Sequence, residues 1–271
     1  MHTVHGSWRS RAILALADIH DGLRAWRIWW LLGFNDIRQR YRRSALGQFW
    51  ITASMGIFVL VIGLVYSQLF RATVTEYLPY LVVNYVVWSF IAACMNDACV
   101  AFIQSEGYLR QERLPLTVVA MRLLVRNTLI FAHNAVLIPI VFVFFSVPVS
   151  WTCLLAIPGF FLLLINGFLV IMFIAMASTR FRDLLQVMAN VVQIGFFVTP
   201  VMWQPSSLSQ TTTLLIDLNP FANHLLLVSG PLLGHVPDWN FYAYCSALTL
   251  VLIAIVGPIF VRLRERVVYW L

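Results

Sequence analysis

Lysine is absent from this 271-residue sequence, and all eighteen basic residues are arginines. A phosphate-binding loop of the Gly-x-x-x-x-Gly-Lys-Ser/Thr kind needs a lysine to reach the phosphates of a nucleotide. The chain therefore cannot be a P-loop ATPase on its own. Charge of either sign is also scarce, because charged residues make up 11% of the chain and hydrophobic residues 61%. This composition is typical of a multi-span membrane protein.

Sequence motifs for catalysis, metal binding and redox chemistry are missing as well. No His-Glu-x-x-His zinc motif, Gly-x-Ser-Gly protease motif or Cys-x-x-Cys pair occurs, and the four cysteines lie singly in apolar segments. Asp97 and His133 are the ionisable residues within predicted spans, and we interpret His133 as a hydrogen-bonded core residue. We therefore expect neither a catalytic nor a metal site, and we expect energy for any transport to come from another polypeptide.

The arginines are distributed as topology signals rather than as a nucleic-acid surface, although the net charge is +7. Seventeen fall on one side of the predicted spans and only Arg71 on the other, which predicts six helices with both termini in the cytoplasm. The apolar run at 12–17 is too short for a cleaved signal peptide, so we expect insertion into a plasma or bacterial inner membrane. The predicted spans are 48–70, 77–104, 127–147, 152–178, 184–203 and 239–261, with 1–47 and 262–271 cytoplasmic and 204–238 outside.

Two of these spans carry a patterned face. In the first, small residues predict close approach of another helix; they are Ala53, Gly56, Gly63 and Ser67, with Leu60 completing the row. In the fifth, Gln186, Asn190, Gln193 and Phe197 recur at steps of three and four, and three amides on one face will not face lipid. They either bond to other helices or form a polar channel wall.

The segments outside the spans also predict structure. Leu23, Trp26, Trp30, Phe34, Ile37 and Tyr41 form an amphipathic stripe, which favours a helix on the bilayer surface over one packed on cytoplasmic protein. The loop at 105–115 mixes both charge signs with apolar residues, and is either a short docking helix or a solvated loop. Outside, Asn219 and Pro220 predict the start of a helix that Gly230 closes, and Ser206 or Ser207 starts another that ends near Leu218. Such helices would form a lid.

The sequence Asn35-Asp-Ile-Arg-Gln-Arg-Tyr-Arg-Arg-Ser-Ala-Leu-Gly-Gln-Phe-Trp50 resembles the permease subunits of ABC exporters of lipid-linked polysaccharides. These are the O-antigen, capsule and teichoic-acid export permeases. Phe181-Arg-Asp-Leu184 and Leu218-Asn-Pro-Phe221 support the resemblance, which extends over the whole chain. It implies an all-α homodimer with a polymer channel between protomers and one cytoplasmic ATPase subunit on each.

The resemblance also implies roles for particular residues. It makes 105–115 a gate and ATPase contact, the outer helices a periplasmic gate, and the channel wall rich in aromatics. ATP and magnesium would be bound by the ATPase, with no cofactor in this chain, and membrane lipid and periplasmic or outer-membrane export proteins are further expected partners. Four groups of residues are predicted to take part: Glu106, Tyr108, Leu109, Arg110, Glu112, Arg113 and Pro115 at the ATPase; Arg38, Arg40, Tyr41, Arg42 and Arg43 at a lipid head or channel entrance; Trp50, Tyr66, Gln186, Asn190, Gln193 and Phe197 along the channel; and Asn219, Pro220, Phe221 and Leu225 at the periplasmic gate.

The function expected from these features is ATP-driven export of a lipid-linked polysaccharide, O-antigen or capsule, across the inner membrane. Three alternatives stay open at this point. They are an ATP-independent carrier or lipid flippase, a membrane-embedded transferase, and a permease that exports small molecules.

Overall fold

The computed structural model describes residues 8–40, 42, 47–112, 114–205 and 216–271, and the regular structure in these residues is entirely helical. This confirms the all-α prediction. The predicted site residues Tyr41, Arg43 and Arg113 lie outside the described residues, as does nearly all of the helix predicted from Ser206 or Ser207. The helices are α1 Trp8–Arg24, α2 Trp26–Arg40, α3 Phe49–Leu69, α4 Val74–Gln104, α5 Glu106–Gln111, α6 Leu116–Ala135, α7 Leu137–Phe144, α8 Ala156–Arg180, α9 Leu184–Val198, α10 Pro220–Leu232 and α11 Trp239–Trp270.

Five helical segments in the described part of the chain are long and apolar enough to cross a membrane: α3, α4, α6 with α7, the 3-10 turn Trp151–Leu155 with α8, and α11. The predicted fifth span, 184–203, is shorter as a helix, because α9 has 15 residues and ends at Val198. At 1.5 Å per residue it covers about 22 Å, less than a hydrocarbon core of about 30 Å. Pro200 accounts for the early end, since the residue before a proline avoids helical backbone angles.

The helix predicted to begin at 127 begins eleven residues earlier. α6 starts at Leu116 and contains Arg122 and Arg126, which hydropathy had placed in a loop. Both arginines are ion-paired to carboxylates of neighbouring helices, and that pairing lets a charged segment continue the helix. The last helix also continues beyond its predicted end at 261, so the predicted tail 262–271 is largely helical.

The N-terminal amphipathic segment forms two helices instead of one. α1 and α2 meet at Ala25, and α2 packs against α6. A Cβ on Gly33 would lie 2.9 Å from the Arg122 carbonyl oxygen, so glycine permits this close packing. Trp26, Trp30 and Phe34 remain exposed, whereas Ile37 is buried. Because these aromatic side chains are exposed, the location of α2 on the bilayer surface stays a prediction.

α4 lies at the centre of the bundle. It packs against α3, α6, α8, α9 and α10, and most of the largest buried side chains belong to it. The small face of α3 packs as predicted for Gly63 and Ser67, which are buried, and a Cβ on Gly63 would meet Leu78 of α4 at 3.3 Å. Leu60 does not belong to that packed face, because it is exposed.

Candidate functional site

The predicted polar face of α9 is present and exposed. Gln186, Asn190, Gln193 and Phe197 all lie on the uncovered side of the helix, whose opposite side packs against α4. The three amide side chains make no hydrogen bond to another described residue. Bonding between helices of one protomer, the first alternative for these amides, therefore does not account for them in the described part of the chain.

Gly195 allows α9 to approach the bundle closely. A Cβ at this buried position would lie 3.0 Å from the Trp88 ring and 3.4 Å from the Phe221 ring. The contact joins α9 to both α4 and α10. A larger side chain would push these helices apart, because protein interiors are packed with few voids.

Aromatic rings connect α3, α4 and α9. Phe58 stacks on Tyr85 with ring centroids 4.8 Å apart, and Tyr85 meets the edge of Phe196 at 6.2 Å. Phe196 in turn contacts Phe197 at 5.5 Å. Of the other predicted channel residues, Trp50 is exposed at the start of α3, and Tyr66 is half-buried against Phe70. The ring contacts thus run from Phe58 through Tyr85 and Phe196 to Phe197, and α3 and α9 both pack against α4.

A polar network joins the start of α10 to the end of α9. Asn219 caps α10 through its side-chain oxygen, which accepts from the amides of Phe221 and Ala222, as its position before Pro220 predicts. Its Nδ2 donates to Thr199 Oγ1 at 3.1 Å, which ties α10 to the end of α9. The helix runs past Gly230, the predicted end, to Leu232, and Gly234 at φ +88° stops it.

Two tyrosines of α4 hold the segment that follows α9. The Tyr77 hydroxyl donates to the Met202 carbonyl at 2.7 Å. The Tyr80 hydroxyl lies 2.8 Å from the Pro200 carbonyl and 2.7 Å from that of Trp203. These contacts and the fully buried Leu225 of α10 hold α10 and the segment after α9 against the bundle.

α5 is a short helix with a buried underside, and we call it the α5 platform. Leu109 is buried, whereas Tyr108, Arg110 and Glu112 are exposed and Glu106 and Pro115 are half-buried. Glu106 and Arg110 form an ion pair at 3.1 Å, and Tyr108 lies 5.7 Å from the Arg122 guanidinium. Residues 106–111 of the loop predicted at 105–115 therefore form a short helix, and Arg110 and Glu112 are exposed.

Asp18 is the most completely bonded acidic residue in the described part of the chain. It is 3% exposed and accepts from the amides of Leu116 and Thr117, the Thr117 hydroxyl, and Arg264 Nε at 2.8 Å. A carboxylate is favoured there because the first amides of α6 have no partner inside the helix. Asp18 thus joins α1, α6 and α11 immediately after the α5 platform.

Two further carboxylates bind the same helix. Asp36 of α2 accepts two hydrogen bonds from Arg122, at 2.8 and 2.6 Å, and Asp97 of α4 accepts from Arg126 at 2.7 Å. We call the contacts of Asp18, Asp36 and Asp97 with α6, together with Arg264, the carboxylate ladder. In the sequence, Arg122 and Arg126 are interpreted as topology signals, so the carboxylate ladder is not predicted. Their spacing of four residues places both on one helix face, and that spacing is the signal that could have indicated it.

The predicted lipid-head arginines lie at and beyond the end of α2. Arg38, Arg40 and Arg42 are exposed and have no ion-pair partner among the described residues. Arg40 lines a groove of about 170 Å³ together with Asp97, Gln104 and Arg126. The structure thus places one member of this group beside the carboxylate ladder.

Residues 27–225 match the family model described as ABC-2 type transporter. The chain belongs to the ABC-2 transporter family. Over 236 residues it is 23% identical to the O-antigen export system permease protein RfbA of Myxococcus xanthus, covering 86% of this chain and 90% of that protein. A protein of the same name from Klebsiella pneumoniae is 23% identical over 243 residues, with the same coverage of both chains. The family is one of transporters, and both of these relatives are named permeases.

Proposed function

We propose that this chain is the channel-forming permease subunit of an ATP-driven exporter of lipid-linked polysaccharide, of the O-antigen type, in a bacterial inner membrane. The observation that carries the proposal is the unpartnered amide face of α9 in a member of the ABC-2 family. Two relatives similar over 86% of the chain are O-antigen export permeases, which supports this class of substrate.

The amides need a polar or protein surface opposite them. Gln186, Asn190 and Gln193 lie on the exposed side of an apolar helix, where unsatisfied amides in lipid would be costly. A second copy of the chain, arranged with α9 facing α9 across a hydrated passage, supplies such a surface. Amides can hydrogen-bond sugar hydroxyl groups there, and Trp50, Tyr66 and Phe197 offer ring faces on which sugar rings stack.

Energy would enter through α5. The exposed side chains of Tyr108, Arg110 and Glu112 face away from the buried Leu109, so this platform can contact a cytoplasmic ATPase subunit that binds ATP and magnesium. The chain continues from α5 to Leu116, the first residue of α6. There Asp18 links the start of α6 to α1 and α11. Movement of α5 would therefore move three helices together and bias the channel between closed and conducting states.

The lipid anchor would enter from the cytoplasmic side, near the end of α2. Arg38, Arg40 and Arg42 are exposed at and just beyond the end of α2 and give this part of the chain positive charge, and Tyr41 and Arg43 alternate with them in the sequence. Arginine side chains bind phosphate oxygens with paired N–H donors, so this cluster suits the diphosphate of a lipid-linked glycan. On the outer side, α10 with Pro220, Phe221 and Leu225 would close the passage.

A reconstituted transport assay tests the proposal. The chain and its ATPase would be placed in vesicles, with a fluorescent lipid-linked polysaccharide supplied on the ATPase side. We expect ATP-dependent delivery to the opposite side. Reversal of charge at Glu112 and Arg113 together should uncouple ATP hydrolysis from export, while Asp21→Arg on the exposed face of α1 should not. Unchanged export in the double variant would remove the docking assignment.

The assay also separates the alternatives. Export by the chain alone under a proton gradient would establish an ATP-independent carrier and contradict the proposal. ATP-dependent movement of small solutes but not of polysaccharide would establish a small-molecule exporter. Deletion of Asn219–Gly230 should stop export or make vesicles leaky, and a silent deletion would contradict the gate role of α10.

A further inference from the structure

A second feature of the bundle lies away from the α9 face. A half-open cavity of about 220 Å³ is lined by residues of α4, α8, α10 and α11. Its wall is almost entirely apolar and includes Phe90, Met95, Leu163, Val170, Leu248 and Leu252. Apolar cavities of about 150 Å³ in proteins stay dry and bind small hydrocarbons, so this larger one is suited to an apolar guest.

The polar residues in the wall are directed at the protein itself. Asn166 Nδ2 lies 2.7 Å from His224 Nε2 and 3.3 Å from the Cys245 carbonyl. His224 Nδ1 lies 2.8 Å from the Pro220 carbonyl, so the ring can donate there and accept from Asn166. The Asn166 side-chain oxygen is buried and has no hydrogen-bond partner among the described residues. One unpartnered amide oxygen in an otherwise apolar wall does not make the cavity a site for a charged ligand.

One flank of the cavity borders the outer surface of α11. Leu248 and Leu252 line the cavity and are half-buried, whereas Leu250, Val251 and Ile253 beside them are exposed. The apolar stretch of α11 is the least buried of the membrane-crossing segments found in the described residues, with 17% of its residues buried. A hydrocarbon chain lying against α11 thus has a short route into the cavity.

We propose that this cavity binds one acyl chain of a bilayer phospholipid. A phospholipid, rather than the lipid anchor of the exported glycan, fits the location, because α8 and α11 line the cavity and no residue of α9 does. Burial of a chain end here is favourable because a filled cavity recovers the dispersion contacts that an empty one forgoes.

The bound chain would support the outer layer of the protein. Phe221 at the start of α10 lines the cavity, lies 5.8 Å from the Trp88 ring and sits against Gly195 of α9. A guest in the cavity holds Phe221 in that position. Lipid occupancy and the position of α9 relative to α10 are therefore coupled through one side chain.

Photo-crosslinking in lipid nanodiscs tests this site. The purified chain would be placed in nanodiscs that contain a phospholipid with a photoactivatable diazirine near the acyl-chain end, and adducts would be located by peptide mass spectrometry. Ile91, Cys94 and Met95 of α4 are buried and line the cavity, so adducts on them require a chain inside it. We expect adducts on these residues as well as on the exposed Leu250. Adducts confined to exposed residues would overturn the proposal.

Matched variants and a second probe complete the experiment. Val170→Phe fills the cavity and should abolish most α4 adducts while leaving Leu250 labelled, whereas Val251→Phe, the same change on the exposed surface, should leave both. Leu252→Trp provides a second filled variant if Val170→Phe does not fold. Labelling of Cys94 by a photoactivatable polyprenyl diphosphate, but not by the phospholipid, would contradict the proposed occupant. None of these readouts depends on transport activity.

Discussion

α6 and the exposed side of α9 differ in how their polar groups are bonded. On α6, the start of the helix, Arg122 and Arg126 are bonded to carboxylates of three other helices. On α9, the three amides have no described hydrogen-bond partner. Polar groups on α6 therefore join helices within the chain, whereas those on α9 are exposed and unpartnered in the described structure.

In a chain with few charges, this difference distinguishes polar groups that hold helices together from polar groups that are exposed and available for function. The carboxylate ladder joins α6 to α1, α2, α4 and α11. α9 packs against the bundle through the side that holds Gly195 and Phe196, and its amide side is exposed.

The largest effect is expected at Asp18. Asp18→Ala leaves Arg264 and the first amides of α6 without their partner, and breaking a largely buried ion pair costs about 3 kcal/mol. We expect a large drop in the thermal unfolding midpoint of the detergent-solubilised protein. Asp21→Ala, an exposed carboxylate in the same helix, is the control and should leave the midpoint nearly unchanged. Equal effects would show that the ladder does not fix α6.

A smaller effect is expected where α9 joins the bundle. Gly195→Leu places side-chain atoms against Trp88 and Phe221, and overpacking of this kind costs about 2 kcal/mol. We expect a lower unfolding midpoint and weakened ATP-coupled export. Gly257→Leu is the control, because nothing lies within 4 Å of a Cβ at that position in the described structure. If Gly195→Leu is as stable as its control, α9 does not depend on this contact.

Removal of the α10 cap should lower the stability of the protein less than Gly195→Leu does. Asn219→Ala loses the bonds to the Phe221 and Ala222 amides and to Thr199, and loss of an N-cap costs about 1 kcal/mol. Asn219→Asp retains the cap acceptor but not the donor to Thr199, so it should recover most of the stability. Hydrogen exchange of the first turn of α10 measures both. Equal protection in Asn219→Ala and the unsubstituted chain would contradict the cap.

The smallest effect is expected on the α5 platform. Glu106→Gln removes an exposed ion pair with Arg110, and pairs of this spacing contribute about 0.3 kcal/mol. Stability should be unchanged within the error of a thermal scan. A large loss would mean that α5 belongs to the protein core and not to a docking surface.

The sequence predicts the helical class, the family, the α9 face and the Asn219 cap because each rests on local periodicity or a short motif. The sequence does not predict the features that depend on contacts between segments far apart in the chain. The true start of α6 depends on carboxylates of Asp18, Asp36 and Asp97 that are far away in sequence. The break between α1 and α2 at Ala25 and the end of α10 at Leu232 follow from packing and from backbone angles such as the φ of +88° at Gly234, which hydropathy does not report.

The most direct test of the α9 assignment is the solvent accessibility of its amide face in the assembled complex with its ATPase. Single cysteines would replace Gln186, Asn190 and Gln193 in a chain whose four native cysteines are changed to alanine, with Leu250→Cys on the exposed apolar face of α11 as the control. A hydrophilic, membrane-impermeant thiol reagent should label the three α9 positions and not position 250. If none of the three α9 positions is labelled, a hydrated passage along α9 is contradicted.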